Sequence, residues 1–406
     1  MNAFEKLGVK AVYARALGSL NISEPTPVQV SCIPKISQGV DLIATAMTGS
    51  GKTFAYLLPL IGQLQLEVKD IQLVVLTPTH ELSLQVAEQV KRLAFASGEP
   101  VRCQALIGGV KIQRQIDHLK EKPHVVVGSA GRMLELNRLK KLKMHNVKTI
   151  VLDEGDKLME DAHREDVLAI IKTTLKSRQL ISLSASLSEK SKLHLQELLV
   201  DPEVMMVDPI LLNPMVQHAY WLGDARKRVD HLRKVISAVK PKRCLVFVNK
   251  NEMIQEVTEK LLYHHYPVVS LYGNQGKEGR AKAMQEFHAR KATILIASEL
   301  AARGLDIQDV THVINLDMPL SADDYLHRIG RTGRHGEKGM AISIVSEREL
   351  PLLEKYLAHF NTTVENIEVR FGEVKAPKAN KASKPFRAQQ FPVKSSNQAR
   401  KVPSRD

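Results

Sequence analysis

The chain has 406 residues, enough for two or three domains, and an apolar fraction of 44% that is ordinary for protein folding around cores. Its three cysteines, Cys32, Cys103 and Cys244, lie far apart with no CxxC pair, which excludes a disulfide framework and a cysteine-based zinc centre. A formal charge of +14 beside 44 acidic residues points to a polyanionic partner, nucleic acid first, the alternative being a basic surface that only keeps the protein soluble.

The amino terminus carries no basic-then-apolar signal and no apolar run is long enough to span a bilayer, so a soluble cytoplasmic protein with no membrane partner is expected. From Phe4 to Ser37 helical patterns are broken at Glu24-Pro25-Thr26-Pro27-Val28-Gln29, where the prolines force an extended entry and Gln29 opens a helix. A glutamine there is either a solvated residue or an amide that donates to and accepts from an adenine edge.

The strand-like run Asp41–Thr45 then feeds Ala46-Met47-Thr48-Gly49-Ser50-Gly51-Lys52-Thr53, after which Phe54–Leu60 reads as a helix. In that context glycines let backbone N–H groups converge on phosphate oxygens, Lys52 reaches the outer phosphates, and the Thr53 hydroxyl faces Mg²⁺. Ala46 stands where the general pattern has its first glycine. Further strand-like runs follow at 72–77, 101–107, 124–127, 149–152, 180–183 and 204–207, separated by amphipathic segments, as in a parallel sheet covered on both faces.

At the end of the 149–152 run stands Asp153-Glu154-Gly155-Asp156. A nucleotide hydrolase needs carboxylates at such a strand end: Asp153 for the Mg²⁺ sphere, Glu154 for the attacking water. Two prolines and no clear period mark residues 208–215 as a linker, and the alternation restarts at 216–222, 244–248, 268–272, 293–297, 312–316 and 340–345. The second series contains His327-Arg328-Ile329-Gly330-Arg331-Thr332-Gly333-Arg334, three arginines in eight residues, read either as a solvated basic helix face or as guanidinium groups offered to a transferring phosphoryl group. Residues 374–406 hold nine basic residues against Asp406 in a Pro/Ser/Ala/Gln-rich stretch, expected to be a disordered basic tail in which Phe386 and Phe391 can stack on bases. The fold expected is α/β, with domains at 1–207 and 216–373.

Together these motifs resemble the DEAD-box family of ATP-dependent RNA helicases, over the stretch from Phe4 to about Val345. The resemblance implies two RecA-like domains that close around ATP, Mg²⁺ and single-stranded RNA, held by its backbone, and that unwind short duplexes locally. Phe4 would stack on adenine and Gln29 read its edge; Thr48, Gly49, Ser50, Gly51, Lys52 and Thr53 would form the family's phosphate loop, Ala46 included. Arg331 and Arg334 would be finger arginines, Asp306 would reach the nucleotide from the second domain, and Asp156, Ser184, Ser186 and His327 would couple hydrolysis to unwinding. Pro78, Thr79, His80, Gly108, Gly109, Arg132, Lys277, Arg280 and Ser298 would face RNA.

Five departures stand out. Gly155 replaces the alanine of Asp-Glu-Ala-Asp, His80 an arginine, Lys277 a glutamine, and Ser129-Ala130 and Ser298-Glu299 replace Thr-Pro and Thr-Asp. The RNA-side losses leave room for an ATP-gated RNA clamp or ribonucleoprotein platform with little unwinding; a DNA translocase is the third reading. Ribosomal or ribonucleoprotein components are the partner class implied, and a monomer is expected.

Overall fold

The computed structural model describes residues 2–376 apart from 48, 208–211, 274, 303–306, 308, 334–336 and 361, with the side chains of Lys277 and Leu300 also outside the description. Each continuous apolar run forms a strand. In the first half these are β1 (Leu42–Thr45), β2 (Leu73–Leu76), β3 (Cys103–Leu106), β4 (Val125–Gly128), β5 (Thr149–Asp153), β6 (Gln179–Ser184) and β7 (Glu203–Met206). They make one sheet in the order β3-β4-β2-β5-β6-β1-β7, every pairing parallel.

The second half repeats the plan with β8 (Val216–Leu222), β9 (Cys244–Phe247), β10 (Val268–Leu271), β11 (Ile294–Ala297), β12 (His312–Asn315), β13 (Gly339–Val345) and β14 (Glu365–Asn366). Their order is β10-β11-β9-β12-β13-β8-β14, again all parallel. The short β14 and an antiparallel hairpin of β15 (Glu368–Arg370) and β16 (Glu373–Lys375) are too brief and too charged to show as apolar runs. The hairpin carries ordered chain two residues into the stretch read as tail; residues 377–406 lie outside the description.

Helices cover both faces of the first sheet, which is why its central strands are apolar at every position and not at alternate ones. Leu73 and Val75 point into one core with Val28, Tyr56 and Val86, whereas Val74 and Leu76 point into another with Met133, Leu158 and Ile170. The period-2 geometry of a strand divides the same run between two cores. Parallel pairing also sends every strand's carboxyl end to one edge, so the segments after β1, β2, β4, β5 and β6 emerge together, where α/β sheets bind ligands. Of the linker, Leu212 is already buried in the second unit and Asn213 donates to the Gly333 carbonyl at 2.5 Å. No helix among the described residues is long and apolar enough to cross a membrane.

Candidate functional site

From β1 the chain enters a loop whose glycines, Gly49 (φ 81°) and Gly51 (φ 94°), turn it into the helix Lys52–Gly62. Gly51 is required twice over: its φ is left-handed, and a Cβ there would lie 2.5 Å from Nε2 of Gln29. The helix therefore points the backbone N–H groups of its first turn and its positive dipole end at the loop, a ready anion site. Lys52 donates to the carbonyls of Ala46 (2.7 Å) and Met47 (3.0 Å), so its ammonium lies over that loop. Thr48 falls outside the described residues.

Gln29 is buried, and both ends of its amide are in use. Its Oε1 accepts the Thr26 N–H at 3.0 Å, closing a capping box, and Nε2 donates to the Gly51 carbonyl at 3.1 Å. The residue thus ties the Pro-Thr-Pro turn to the phosphate loop while one N–H and one lone pair remain for a base. Phe4 differs from its expected place. It is 1% exposed inside the core with Tyr13, Leu17 and Val28, leaving no ring face for stacking, and it anchors the first helix, Ala3–Lys6.

Across the sheet edge, β5 ends in Asp153, a buried carboxyl whose Oδ2 accepts the Tyr56 hydroxyl at 2.8 Å. Burial pushes Asp153 up to about 6 and the Glu154 charge adds to this, against the Tyr56 hydrogen bond and the Lys52 ammonium, which draw it down. Tyr56 lies one turn along the helix from Thr53, on the same face, so the groups read as metal ligands share a buried orienting hydroxyl. The pattern of motifs did not reveal Tyr56; its phenol only acquires meaning once β5 is placed beside the helix.

Glu154 adopts the left-handed conformation (φ 55°, ψ 52°), an uncommon one for a residue with a Cβ, and so lifts its side chain off the strand before the one-turn helix Gly155–Leu158. Beneath the turn, Ser184 Oγ accepts the Asp156 N–H at 3.0 Å. Burial raises the Asp156 carboxyl to about 7, with the charges of Glu154 and Asp323 adding to it. Ser186 is buried beside them, its hydroxyl unpartnered among the described residues.

In the second unit the helix Ala322–Ile329 leads into the arginine-rich segment. Arg328 is 1% exposed and bonded to Glu299 (2.6 Å), the Asp317 carbonyl (2.8 Å) and Asn249 (2.8 Å), with its guanidinium over the Phe247 ring. It holds the unit together. Arg331 follows it at a partly exposed position, whereas Arg334 and Asp306 lie outside the described residues. Glu299, Asp324 and His327 bring potential ligand atoms within 4.8 Å of one another, but Arg328 pairs with Glu299 and Lys157 with Asp324, so the group is an ion-pair network.

Among the described residues two ion pairs join the units: Arg280 to Glu81 at 2.7 Å and Lys157 to Asp324 at 3.5 Å. Arg280 also donates to the Ala301 carbonyl. Glu81 and Lys157 carried no signal in the sequence, because their partners come from the other half of the chain. The residues expected to face RNA fall into two groups. In the first unit Pro78 precedes Thr79, which caps the helix His80–Ser97; exposed His80 lies against Gly108, its Nε2 3.0 Å from where a Cβ would stand; Gly109 (φ 69°) follows, and Arg132 donates to Val110 at 3.2 Å. In the second, Ser298 is buried with its hydroxyl capping Ala301, and Lys277 opens the helix Lys277–His288.

The DEAD/DEAH box helicase pattern matches residues 26–193, and that of the helicase conserved C-terminal domain residues 227–336. The DEAD-box ATP-dependent RNA helicase CshC of Bacillus cereus is 41% identical over 89% of this chain and 93% of its own. The probable ATP-dependent RNA helicase YfmL of Bacillus subtilis is 41% identical over 82% of this chain and 88% of its own. Among solved structures, that of Saccharomyces cerevisiae Dbp5 bound to RNA and ADP BeF3 superposes with a TM-score of 0.83 over 90% of this chain and 95% of that one, at 23% identity, which speaks to the fold. The chain belongs to the DEAD-box family of ATP-dependent RNA helicases.

Proposed function

We propose that the protein hydrolyses ATP when single-stranded RNA is bound and uses the closing of its two units to pry short duplexes apart, with Asp153-Glu154-Gly155-Asp156 as its form of the motif that names the family. The observation that carries this reading is the meeting of the phosphate loop and the acidic turn at one sheet edge, across which Glu81–Arg280 and Lys157–Asp324 reach the arginine-bearing unit. Lys52 and the helix N-terminus hold phosphate oxygens, Gln29 offers its remaining donor and acceptor to adenine, and Glu154 orients water. Arg331 and Arg334, with Asp306, serve from the second unit, so the hydrolytic site is complete only in the closed arrangement. The domain limits proposed are 1–207 and 216–373 around the 208–215 linker, with the basic stretch from 374 adding salt-sensitive affinity for RNA. The reading includes a cytoplasmic monomer acting on ribosomal or ribonucleoprotein RNA.

The donor set suits Mg²⁺. Asp153 is a buried carboxyl held up to about 6 by lost solvation and by Glu154, a cost that a divalent cation beside it relieves, and Thr53 adds a hydroxyl. Held by these two residues, partly through water, the ion would neutralise charge on the terminal phosphates. Tyr56 fixes the Asp153 carboxylate for that task.

The test is ATP hydrolysis with no nucleic acid, with RNA and with DNA, beside strand separation of a short RNA duplex, using Lys52→Ala as the blank. RNA should stimulate hydrolysis and DNA should not, and the blank should abolish both activities. Equal stimulation by DNA would favour a translocase. The clamp reading rests on the altered RNA-side residues His80, Ser129-Ala130, Lys277 and Ser298-Glu299, and RNA-stimulated hydrolysis without separation would establish it.

His80 supplies a further expectation. It is exposed at the start of its helix and against Gly108, where a phosphate contact would come from a single imidazole in place of a bidentate guanidinium. An imidazole loses its charge between pH 6 and 8. RNA-stimulated turnover should therefore weaken over that range, and His80→Arg should remove most of the difference; identical pH profiles for the two proteins would rule the contact out.

A further inference from the structure

Beneath the acidic turn, the serines of Ser182-Leu183-Ser184-Ala185-Ser186 alternate with apolar residues, so their hydroxyls line one face of β6 and its continuation. Ser184 accepts the Asp156 N–H. Ser182, one step earlier, is 0% exposed, and its hydroxyl has no hydrogen-bond partner among the described residues. An orphaned hydroxyl in a dry core is costly and calls for a reason.

Gly155 supplies one. A Cβ on Gly155 would stand 2.1 Å from Ser182 Oγ, 3.3 Å from its Cβ and 3.5 Å from Ser184 Oγ. The Ser182 hydroxyl therefore fills the volume in which a side chain at residue 155 would begin. Rotating Ser182 about χ1 would move the oxygen but leave the 3.3 Å approach of the two Cβ atoms, so an alanine at 155 must also shift the turn. That shift would be felt on both sides, at strained Glu154 and at Asp156, whose N–H is tied to Ser184.

We infer that Ser182 and Gly155 are one reciprocal unit, and that Ser182 is a positioning residue which sets the height of the acidic turn above β6. The alanine of Asp-Glu-Ala-Asp is excluded here because a serine hydroxyl from the neighbouring strand already holds its place. Gly155 is in this account the complement of Ser182, and the loss of the methyl does not loosen the turn. The inference rests on the reading of Glu154 and Asp156 as hydrolytic machinery, and its test is built so that the two can fail separately.

The test is a double-mutant cycle in the full-length protein: Gly155→Ala, Ser182→Ala and the pair, each measured for RNA-stimulated kcat, for the KM of ATP and for melting temperature. Gly155→Ala alone should lower kcat about tenfold with KM within about twofold, because the phosphate loop is untouched. The pair should return to within about threefold of the parent. Additive losses, or a Gly155→Ala protein with parental kcat, would overturn the inference. If Gly155→Ala does not fold, the melting temperature decides: recovery in the pair supports reciprocity, and no recovery refutes it. Wild type against Lys52→Ala in the same assay tests the hydrolytic reading itself, whatever the cycle gives.

Discussion

Arg331→Ala should lower RNA-stimulated ATP turnover by a factor of about 10³, the lower end of what finger arginines supply, while nucleotide affinity changes little. Arg328 and Arg331 look equivalent in the octapeptide's sequence but are sorted by their surroundings. Arg328 is enclosed, bonded to Glu299, Asn249 and the Asp317 carbonyl, and seated over Phe247. Removing it leaves the half-buried Glu299 carboxylate and two acceptors without their partner, so Arg328→Ala should lose stability before any specific step of the reaction. Arg331 is partly exposed, one residue past the end of the helix's capping turn. In the proposed mechanism its contribution arises only when the second unit meets phosphates held by Lys52, so the loss belongs in kcat and not in binding of a fluorescent ATP analogue. Parallel loss of binding and turnover would place Arg331 in the nucleotide pocket of the open protein and remove the two-unit account of hydrolysis.

Much of this organisation was legible because it is local. Thirteen strands announce themselves as apolar runs, and the phosphate loop, acidic turn and arginine-rich segment each sit within eight residues. What stayed hidden depends on distant partners. Tyr56 is an ordinary helix aromatic until β5 places Asp153 2.8 Å from its hydroxyl. Gln29 looks like a base reader, yet half of its hydrogen-bonding capacity goes to Thr26 and Gly51, twenty-two residues apart in the latter case. Phe4 has the right chemistry for stacking but lies in the core, since aromatic type does not say which surface covers a ring. Gly155 reads as a gap in the motif until the sheet register puts Leu152 beside Ser182 and the next turn above it.

Asp156→Asn should make the protein more stable and less active, and the gain should grow with pH. In the folded chain Asp156 is 7% exposed, with its carboxyl pushed from 3.8 up to about 7, first by burial and then by the charges of Glu154 and Asp323. Between pH 4 and 7 an unfolded chain releases this proton while the folded one keeps it. The stability that Asp156 allows is therefore full below about pH 4, falls through that window and levels off above pH 7. A rise of about three pH units corresponds to a penalty on the order of 4 kcal/mol at neutral pH, which an uncharged asparagine does not carry. The Ser184 bond to the backbone N–H of residue 156 survives the change. Thermal melts at pH 5, 6.5 and 8 should show the variant's advantage widening by several degrees and then holding, while RNA-stimulated turnover falls at every pH. Natural chains keep such a strained charge where it does something, and here its ionisation answers to Asp323 and Lys157, one on each side of the interdomain cleft. A flat stability difference across pH would show that the buried carboxyl is already neutralised by a partner, and coupling through its proton would then have no basis.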